Sequence, residues 1–164
     1  MKDREIKIEY KELEYSDLTE IDKNLVEKAL SAAKNAYAPY SNFRVGAAVL
    51  LENGVIVTGN NQENAAYPSG LCAERVALFY ANANYPKSIV DSIVIVVIDQ
   101  NDRIVPQTIS PCGSCRQVIA ETEMRYKNDI RILLVSEKHA LEFSSISDLL
   151  PLSFNQQDLG IIKH

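Results

Sequence analysis

The sequence lacks the features that mark membrane-bound, exported and nucleic-acid-binding proteins. No apolar run approaches the roughly 20 residues that span a bilayer, and the charged start MKDREIKIEY contains no apolar signal-peptide segment. The 17 lysines and arginines are outnumbered by 22 aspartates and glutamates, and the net charge of −5 disfavours nucleic-acid binding, because contacts to phosphates draw on a basic surplus. We therefore expect a cytoplasmic protein with no nucleic-acid partner and no membrane partner.

Cysteine and histidine are scarce. The three cysteines, Cys72, Cys112 and Cys115, are an odd number that cannot pair into a secreted disulfide framework. Both histidines, His139 and His164, lie in the C-terminal quarter, away from other residues that look reactive, and we assign them no role. In a reducing compartment, three free thiols are either buried apolar side chains or metal ligands.

The composition is typical of one globular domain in a chain of 164 residues. Hydrophobic residues make up 46% and charged residues 24%, which excludes a disordered chain. The sequence contains no internal repeat, low-complexity tract or long Gly/Ser linker. We expect a single domain over residues 21–164. The extension over residues 1–20 has an open role, either covering an edge strand or extending a subunit contact.

Hydrophobic patterning predicts an α/β fold. The predicted elements are a loose strand or appended arm over 4–15, a helix from the Thr19–Asp22 capping box to about Tyr37, strands over Val45–Leu51 and Val55–Thr58 joined by an Asn-Gly turn, a helix over Ala73–Ala83, a strand over Ser92–Asp99, a helix over Cys115–Met124, a strand over Ile130–Val135 and a short helix at Ser147–Leu150. The two β-branched runs are typical of strands buried on both faces. This order predicts a three-layer α/β/α architecture with a mixed sheet of about five strands.

Each cysteine lies where a predicted helix begins. Pro111 suits a first helical turn, so Cys112 and Cys115, three residues apart, can face the same way. Cys72 begins the preceding helix. Three thiolates that converge on one point form a tetrahedral zinc site with an open fourth position, since no histidine is placed to fill it. An open position distinguishes catalytic from structural zinc.

Glu74 indicates what that open position does. Side chains two residues apart on a regular helix diverge by about 200°. Cys72 and Glu74 therefore converge only if Cys72 lies at the non-helical start and Glu74 lies in the first turn, leaning towards the N-terminus. There the carboxylate reaches a water on the metal, whose pKa zinc lowers from about 15.7 to about 7. Glu74 then takes up a proton and passes it on.

Three thiolates also give the metal site a net negative formal charge, which weakens zinc as a Lewis acid. The partial positive charges of two helix N-termini offset part of it. We expect Arg75, three residues after Cys72 on the same face, to hydrogen-bond a ligand sulfur and withdraw charge from it.

Three sequence blocks resemble the signature blocks of the cytidine deaminase family. They are Asn61–Tyr67 (NQENAAY), Cys72–Arg75 (CAER) and Pro111–Gln117 (PCGSCRQ). Zinc deaminases carry an acidic motif followed by P-C-x-x-C, and the offset of 40 residues between the cysteine–glutamate block and P-C-x-x-C is specific. The resemblance runs from about Leu25 to Leu159 and is to the all-cysteine, single-domain type.

The resemblance implies hydrolytic deamination of cytidine and 2′-deoxycytidine, with release of ammonia, as a step of pyrimidine salvage. It implies one zinc ion per chain, held by Cys72, Cys112 and Cys115, while Glu74 protonates ring nitrogen N3 and then carries a proton to the departing amine. Members of this type are generally homotetramers whose active sites borrow residues from neighbouring chains.

The same resemblance assigns the substrate contacts. Asn61 and Glu63 match the family's ribose-binding pair, Ala73 offers main-chain groups to the base, Phe43 forms an apolar wall beside it, and Phe154 matches the aromatic residue lent across the subunit interface. One departure stands out, since the family commonly has proline after the aromatic residue of the Y-S-x-F block. This chain has Arg44 there, which adds a charge near the pocket mouth.

Three alternatives remain open. Cys112 and Cys115 alone would suit a redox dithiol pair, which leaves Cys72 and Glu74 unexplained. A related enzyme that deaminates another aminopyrimidine, such as blasticidin S, is disfavoured by the ribose-binding pair. A non-catalytic, zinc-stabilised binding module predicts that Glu74→Gln leaves ligand-dependent behaviour intact.

Overall fold

Three helices cover both faces of one mixed, six-stranded sheet. The computed structural model describes residues 1–160. Its regular elements are β1 (Lys11–Glu14), α1 (Glu20–Lys34), β2 (Arg44–Leu51), β3 (Ile56–Asn60), α2 (Ala73–Asn84), β4 (Val90–Ile98), α3 (Gly113–Tyr126), β5 (Arg131–Val135) and β6 (His139–Phe143). Short 3-10 turns lie at Tyr15–Asp17, Tyr67–Ser69 and Ile146–Asp148. Residues 161–164, which include His164 and the end of the predicted domain, lie outside the described residues.

The strand order in the sheet is β1-β6-β5-β4-β2-β3. Only the β4–β5 pair is parallel among the described strands, and α3 provides the crossover that a parallel pair requires. The expected α/β/α layering is confirmed, with six strands where about five were predicted. None of the helices within residues 1–160 is both long and apolar enough to cross a membrane.

The core consists of two apolar clusters, one on each face of the sheet. Along β4, Ile93 and Ile95 pack into the cluster beneath α2 and α3, whereas Val94 and Val96 pack into the cluster beneath α1. Successive side chains of a strand point to opposite faces, so β4 is buried on both sides, as its β-branched run predicts.

Two glycines allow helices to lie directly on the sheet. A Cβ at Gly46 in β2 would lie 1.9 Å from the main-chain oxygen of Ala29 in α1. A Cβ at Gly59 in β3 would lie 2.5 Å from both Ala73 O and Ala77 N of α2. The start of α2, where Cys72 lies, is therefore set by main-chain contact with β3.

The first helix is shorter than predicted. It ends at Lys34, and the predicted extension to about Tyr37 is wrong. The Tyr37 N–H donates to Asn61 O at 3.0 Å, and Tyr37 forms a β-bridge with Gln62. Tyr37 therefore pairs with the segment that follows β3 instead of continuing the helix.

The N-terminal extension contributes an edge strand. Lys11–Glu14 pair with β6 in antiparallel register, from Lys11 opposite Glu142 to Glu14 opposite His139. The predicted strand over 4–15 is longer than the observed one because β6 ends at Phe143, whose ring packs against Tyr10 with centroids 5.5 Å apart. Ile6 and Ile8 lie exposed beyond this point.

An ion-pair network joins this edge to α1. Arg131 contacts Asp22 at 2.5 Å and Glu142 at 2.5 Å, and Lys11 contacts Glu142 at 2.9 Å. Asp22 also completes the capping box with Thr19, as predicted. Burial alone would raise the pKa of the Asp22 carboxyl, but hydrogen bonds from Arg131 and Thr19 outweigh it and hold the pKa below its usual value.

Candidate active site

Three cysteine sulfurs lie together at the N-terminal ends of two helices. Cys72 is the N-cap residue of α2, Cys112 is the N-cap residue of α3, and Cys115 lies in the first turn of α3. Cys112 Sγ is 3.7 Å from Cys72 Sγ and 3.5 Å from Cys115 Sγ, and the three sulfurs lie within 4.8 Å of one another. The convergence predicted from helix starts is therefore present in the structure.

The spacing of the sulfurs fits zinc. A Zn–S bond of about 2.3 Å in a tetrahedron corresponds to a sulfur–sulfur distance of about 3.8 Å, close to the two shortest distances measured here. Within residues 1–160, the cluster of metal-ligating side chains contains these three cysteines and no fourth residue. The arrangement leaves one coordination position for water or substrate.

The surroundings of Cys72 favour the thiolate form that a metal requires. The pKa of Cys72 is lowered to about 5, first by a hydrogen bond from the Cys115 thiol and then by Arg75, whose Nη2 lies 3.8 Å from Cys72 Sγ; together they outweigh the opposing effect of burial. The pKa of Cys115 is raised, by its hydrogen bond to Cys72 and by burial. Arg75 therefore makes the sulfur contact expected of it.

Glu74 is the buried carboxyl beside this cluster. It lies in the first turn of α2 and is 4% exposed. Burial raises the pKa of the Glu74 carboxyl above its usual value, and the negative charge of Cys72 raises it further. Cys72 has an extended conformation (φ −73°, ψ 155°) and precedes the helix, which is the geometry that lets the two side chains converge.

Asn61 follows β3 and holds the segment that carries Phe43. Its Oδ1 accepts a hydrogen bond from Val45 N–H at 2.8 Å, and its Nδ2 donates to Phe43 O at 2.8 Å. These contacts use one of the two lone pairs and one of the two donors of the amide. The Asn61 side chain therefore retains capacity for one further donor and one further acceptor.

Glu63 holds the other end of the same segment. Its carboxylate accepts hydrogen bonds from Tyr40 N–H at 2.8 Å, from Ser41 N–H at 3.3 Å and from the Ser41 hydroxyl. The Ser41 hydroxyl first, and then the Tyr40 main chain, lower the pKa of this carboxyl below its usual value. Glu63 is therefore ionised near neutral pH and can only accept hydrogen bonds.

The remaining candidates occupy three different positions. Phe43 is 42% exposed on the segment held by Asn61 and Glu63. Ala73 is fully buried, and as the first residue of α2 its N–H has no partner within the helix. Phe154 is 58% exposed, and its main-chain oxygen accepts a hydrogen bond from Gln117 at 2.7 Å. The structure thus joins Phe154 to α3.

Arg44, the departure noted above, begins β2 and turns towards the loop that follows β4. Its guanidinium forms an ion pair with Asp102 at 2.7 Å and donates to Asp99 O. The side chain is about one-fifth exposed. The positive charge of Arg44 is therefore paired with Asp102, in the loop that follows β4.

Three residues of this region were not among the predicted site residues. Ser41 binds Glu63, Gly59 supports the start of α2, and Gln117 binds the segment of Phe154. Gln117 ends the quoted block Pro111–Gln117, and Ser41 is the serine of the Y-S-x-F block that precedes Arg44, so their positions were a usable signal. Gly59 lies one residue beyond the predicted strand Val55–Thr58, and its only signal was that glycine at a strand often marks close approach of another backbone.

Comparison with known proteins identifies the family. Residues 19–127 match the model of the cytidine and deoxycytidylate deaminase zinc-binding region. The chain is 39% identical over 136 residues to a cytidine deaminase of Halalkalibacterium halodurans, covering 83% of this chain and 96% of that one. It is equally identical over 136 residues to a cytidine deaminase of Sporosarcina psychrophila, covering 83% and 93%.

A solved structure agrees with the sequence matches. The crystal structure of a cytidine deaminase from Burkholderia pseudomallei superimposes with a TM-score of 0.66 at 36% identity, covering 84% of this chain and 100% of that one. The predicted family, the α/β/α fold, the assignment as a zinc-dependent deaminase and the choice of zinc as cofactor are confirmed. This chain belongs to the cytidine and deoxycytidylate deaminase family.

Proposed function

We propose that this protein hydrolyses cytidine, and 2′-deoxycytidine, to the corresponding uracil nucleoside and ammonia, a reaction of pyrimidine salvage. The observation that carries the proposal is the pairing of three sulfurs within 4.8 Å of one another with a carboxyl, Glu74, that is 4% exposed beside them. A closed structural zinc site requires a fourth protein ligand and has no use for a buried carboxyl.

Cys72, Cys112 and Cys115 hold one zinc ion in this proposal. An ion in that position supplies a Lewis acid that activates water at neutral pH. Arg75 Nη2 lies 3.8 Å from Cys72 Sγ. Arg75 withdraws negative charge from this sulfur and so supports the activation of water. Three free thiols kept available for a metal also support a reducing compartment, the cytoplasm, as the location.

Glu74 moves the protons. Its carboxylate takes a proton from the attacking water and delivers it to ring nitrogen N3 as the oxygen adds to C4. Glu74 then takes the proton of the new C4 hydroxyl and passes it to the exocyclic amine, which leaves as ammonia as the C4–N bond breaks and the C4 carbonyl forms. The exclusion of bulk water around a buried carboxyl supports this role, because it keeps the proton within the site.

Asn61 and Glu63 bind the ribose. The unused donor and acceptor of Asn61 and the acceptor-only carboxylate of Glu63 suit sugar hydroxyls, which both donate and accept. The Phe43 ring forms the wall beside the base, and the Ala73 N–H at the start of α2 serves as a main-chain donor to it.

Phe154 contacts the substrate of a neighbouring chain in a homotetramer. In the single chain, Phe154 is 58% exposed and Leu152 is 83% exposed. This supports a subunit interface at this segment, because an interface would remove both large apolar side chains from water.

The direct test is incubation of the purified protein with cytidine, followed by ultraviolet absorbance, together with a zinc count per chain. We expect loss of the cytidine band with one zinc per chain, and loss of activity after chelation that added zinc restores. Turnover of blasticidin S in preference to cytidine would contradict the nucleoside assignment. If zinc-loaded protein turns over neither compound, the result would favour the alternative of a non-catalytic, zinc-stabilised binding module.

A further inference from the structure

The first turns of α3 hold the chain that follows the 3-10 turn Ile146–Asp148. Residues 149–160 contain no helix or strand. Arg116 Nη1 donates to Leu149 O at 2.7 Å, and Gln117 Nε2 donates to Phe154 O at 2.7 Å. Two points of a segment without regular structure are therefore fixed by adjacent side chains of one helix.

Arg116 also holds the loop that leads to Cys112. Its Nε donates to Pro111 O at 2.8 Å, and Pro111 is buried. Because the guanidinium is planar and rigid, its Nε and Nη1 donors cannot move independently. One half-buried side chain therefore links the loop before Cys112 to Leu149 in a fixed relative position.

Gln117 acts on the main chain of Phe154 and leaves its ring unconstrained by that bond. Gln117 follows Cys115 by two residues, which is about 3 Å along the helix axis. The carbonyl of Phe154 is therefore held from the same helical turn that carries a cysteine of the cluster. A phenylalanine that is largely exposed, yet fixed through its carbonyl, has a defined position relative to that cluster.

We propose that Arg116 and Gln117 are positioning residues that set where Phe154 stands on the surface of its own subunit, and so where it meets the substrate of the neighbouring chain. Arg116 fixes the start of the segment through the main-chain oxygen of Leu149, and Gln117 fixes its middle through the main-chain oxygen of Phe154. The inference rests on the proposed function in one respect, namely that Phe154 contacts the substrate bound in a neighbouring chain. It adds that the geometry of this contact is set by two side chains that touch neither substrate nor metal.

A double-mutant cycle tests the role of Gln117. We expect Gln117→Ala to raise the KM for cytidine about three- to tenfold, the range for one lost neutral hydrogen bond, with kcat and zinc content unchanged. In a Phe154→Ala background, the same substitution should have no further effect. Gln157→Ala is the matched control, because it removes an exposed amide from the same segment, and its KM should equal that of the wild type.

Arg116→Lys tests the link to the cysteine loop. Lysine keeps the charge but lacks the rigid fork that reaches Pro111 O and Leu149 O together. We expect a raised KM and also a faster release of zinc to a chelator, by about tenfold. Zinc release is measured without substrate, so it does not depend on deaminase activity.

Three results would overturn the proposal: an unchanged KM in Gln117→Ala, additive effects of Gln117→Ala and Phe154→Ala, or an equal effect of Gln157→Ala. A wild-type protein that does not turn over cytidine contradicts the proposed function instead. The positioning role is then decided by amide hydrogen exchange, which should be faster over residues 149–160 in Gln117→Ala. Unchanged exchange there, or unchanged zinc release in Arg116→Lys, would refute it.

Discussion

Arg75 and Cys72 are neighbours across the first turn of α2, with Arg75 Nη2 3.8 Å from Cys72 Sγ. The cation lies on the sulfur side of the helix start, so its charge acts on one sulfur of the cysteine cluster, which we propose as a zinc ligand. Substitutions of residues that hydrogen-bond metal ligands typically cost about 10- to 100-fold in metal affinity or activity.

We therefore expect Arg75→Gln to lower either zinc affinity or kcat by about 10- to 100-fold. Measuring both on the same preparation separates the two effects. Arg125→Gln, at an exposed arginine in the last turn of α3, is the matched control for charge and should behave as the wild type. Full activity and full zinc affinity in Arg75→Gln would show that the contact to Cys72 has no chemical role.

Glu74→Gln should abolish proton transfer and leave the cysteine cluster intact. The amide is close in shape to the carboxyl but does not carry the proton, so we expect kcat to fall by about 10²- to 10⁴-fold. Zinc content per chain should stay at the wild-type value because the sulfurs are unchanged. A variant with near-normal kcat would remove Glu74 from the mechanism.

Asp22 makes the stability of the protein dependent on pH. The pKa of its carboxyl is lowered in the folded state, so its stabilising contribution is present above the unfolded-state pKa of about 3.9 and is lost as pH falls from there through the lower folded value. We expect the free energy of unfolding to fall in that acidic range, as followed by urea denaturation.

Asp22→Asn serves as the comparison. At neutral pH it should be less stable by about 1–2 kcal/mol, because it weakens the charged hydrogen bonds of the buried Asp22 side chain, while Arg131 is one-third exposed and stays paired with Glu142. Its stability should also depend less on pH in the acidic range. An identical pH dependence in wild type and variant would show that other carboxyls cause the acid sensitivity.

Gly59→Ala should disturb the start of α2. The added Cβ would lie 2.5 Å from Ala73 O and Ala77 N, which are main-chain atoms that cannot move without the helix. We expect a loss of about 1–3 kcal/mol in unfolding free energy, typical of overpacking, and weaker zinc binding because Cys72 moves with α2. Gly113→Ala, where a Cβ would meet nothing within 4 Å, is the control for stability. Equal stability of the two variants would contradict this account.

The sequence predicted the elements that are strongly periodic. The β-branched runs of β4 and β5 and the capping box of α1 mark their elements because burial on both faces and N-terminal capping leave local signals. The position of Cys72 ahead of α2 was also predictable, since only a non-helical start lets Glu74 converge with it.

Other features depend on distant partners and leave weaker signals. The strand β6 is short and contains Glu142, which is tolerated there because Arg131 and Lys11 pair with it. Tyr37 leaves the helical pattern because Asn61 offers its carbonyl, and the pairing of Arg44 with Asp102 depends on a loop more than 50 residues away. The Gln117 contact to Phe154 likewise joins residues from different parts of the chain.

The division of the three cysteines between α2 and α3 has a consequence for how the metal is acquired. Cys72 and Cys112 are separated by 40 residues, with the whole of β4 between them, so the complete ligand set exists only after both helices have docked on the sheet. A bound ion then cross-links two segments of the backbone. With these three ligands, we expect complete metal loading to follow the docking of both helices, and the resistance of α2 and α3 to unfolding to rise when it occurs.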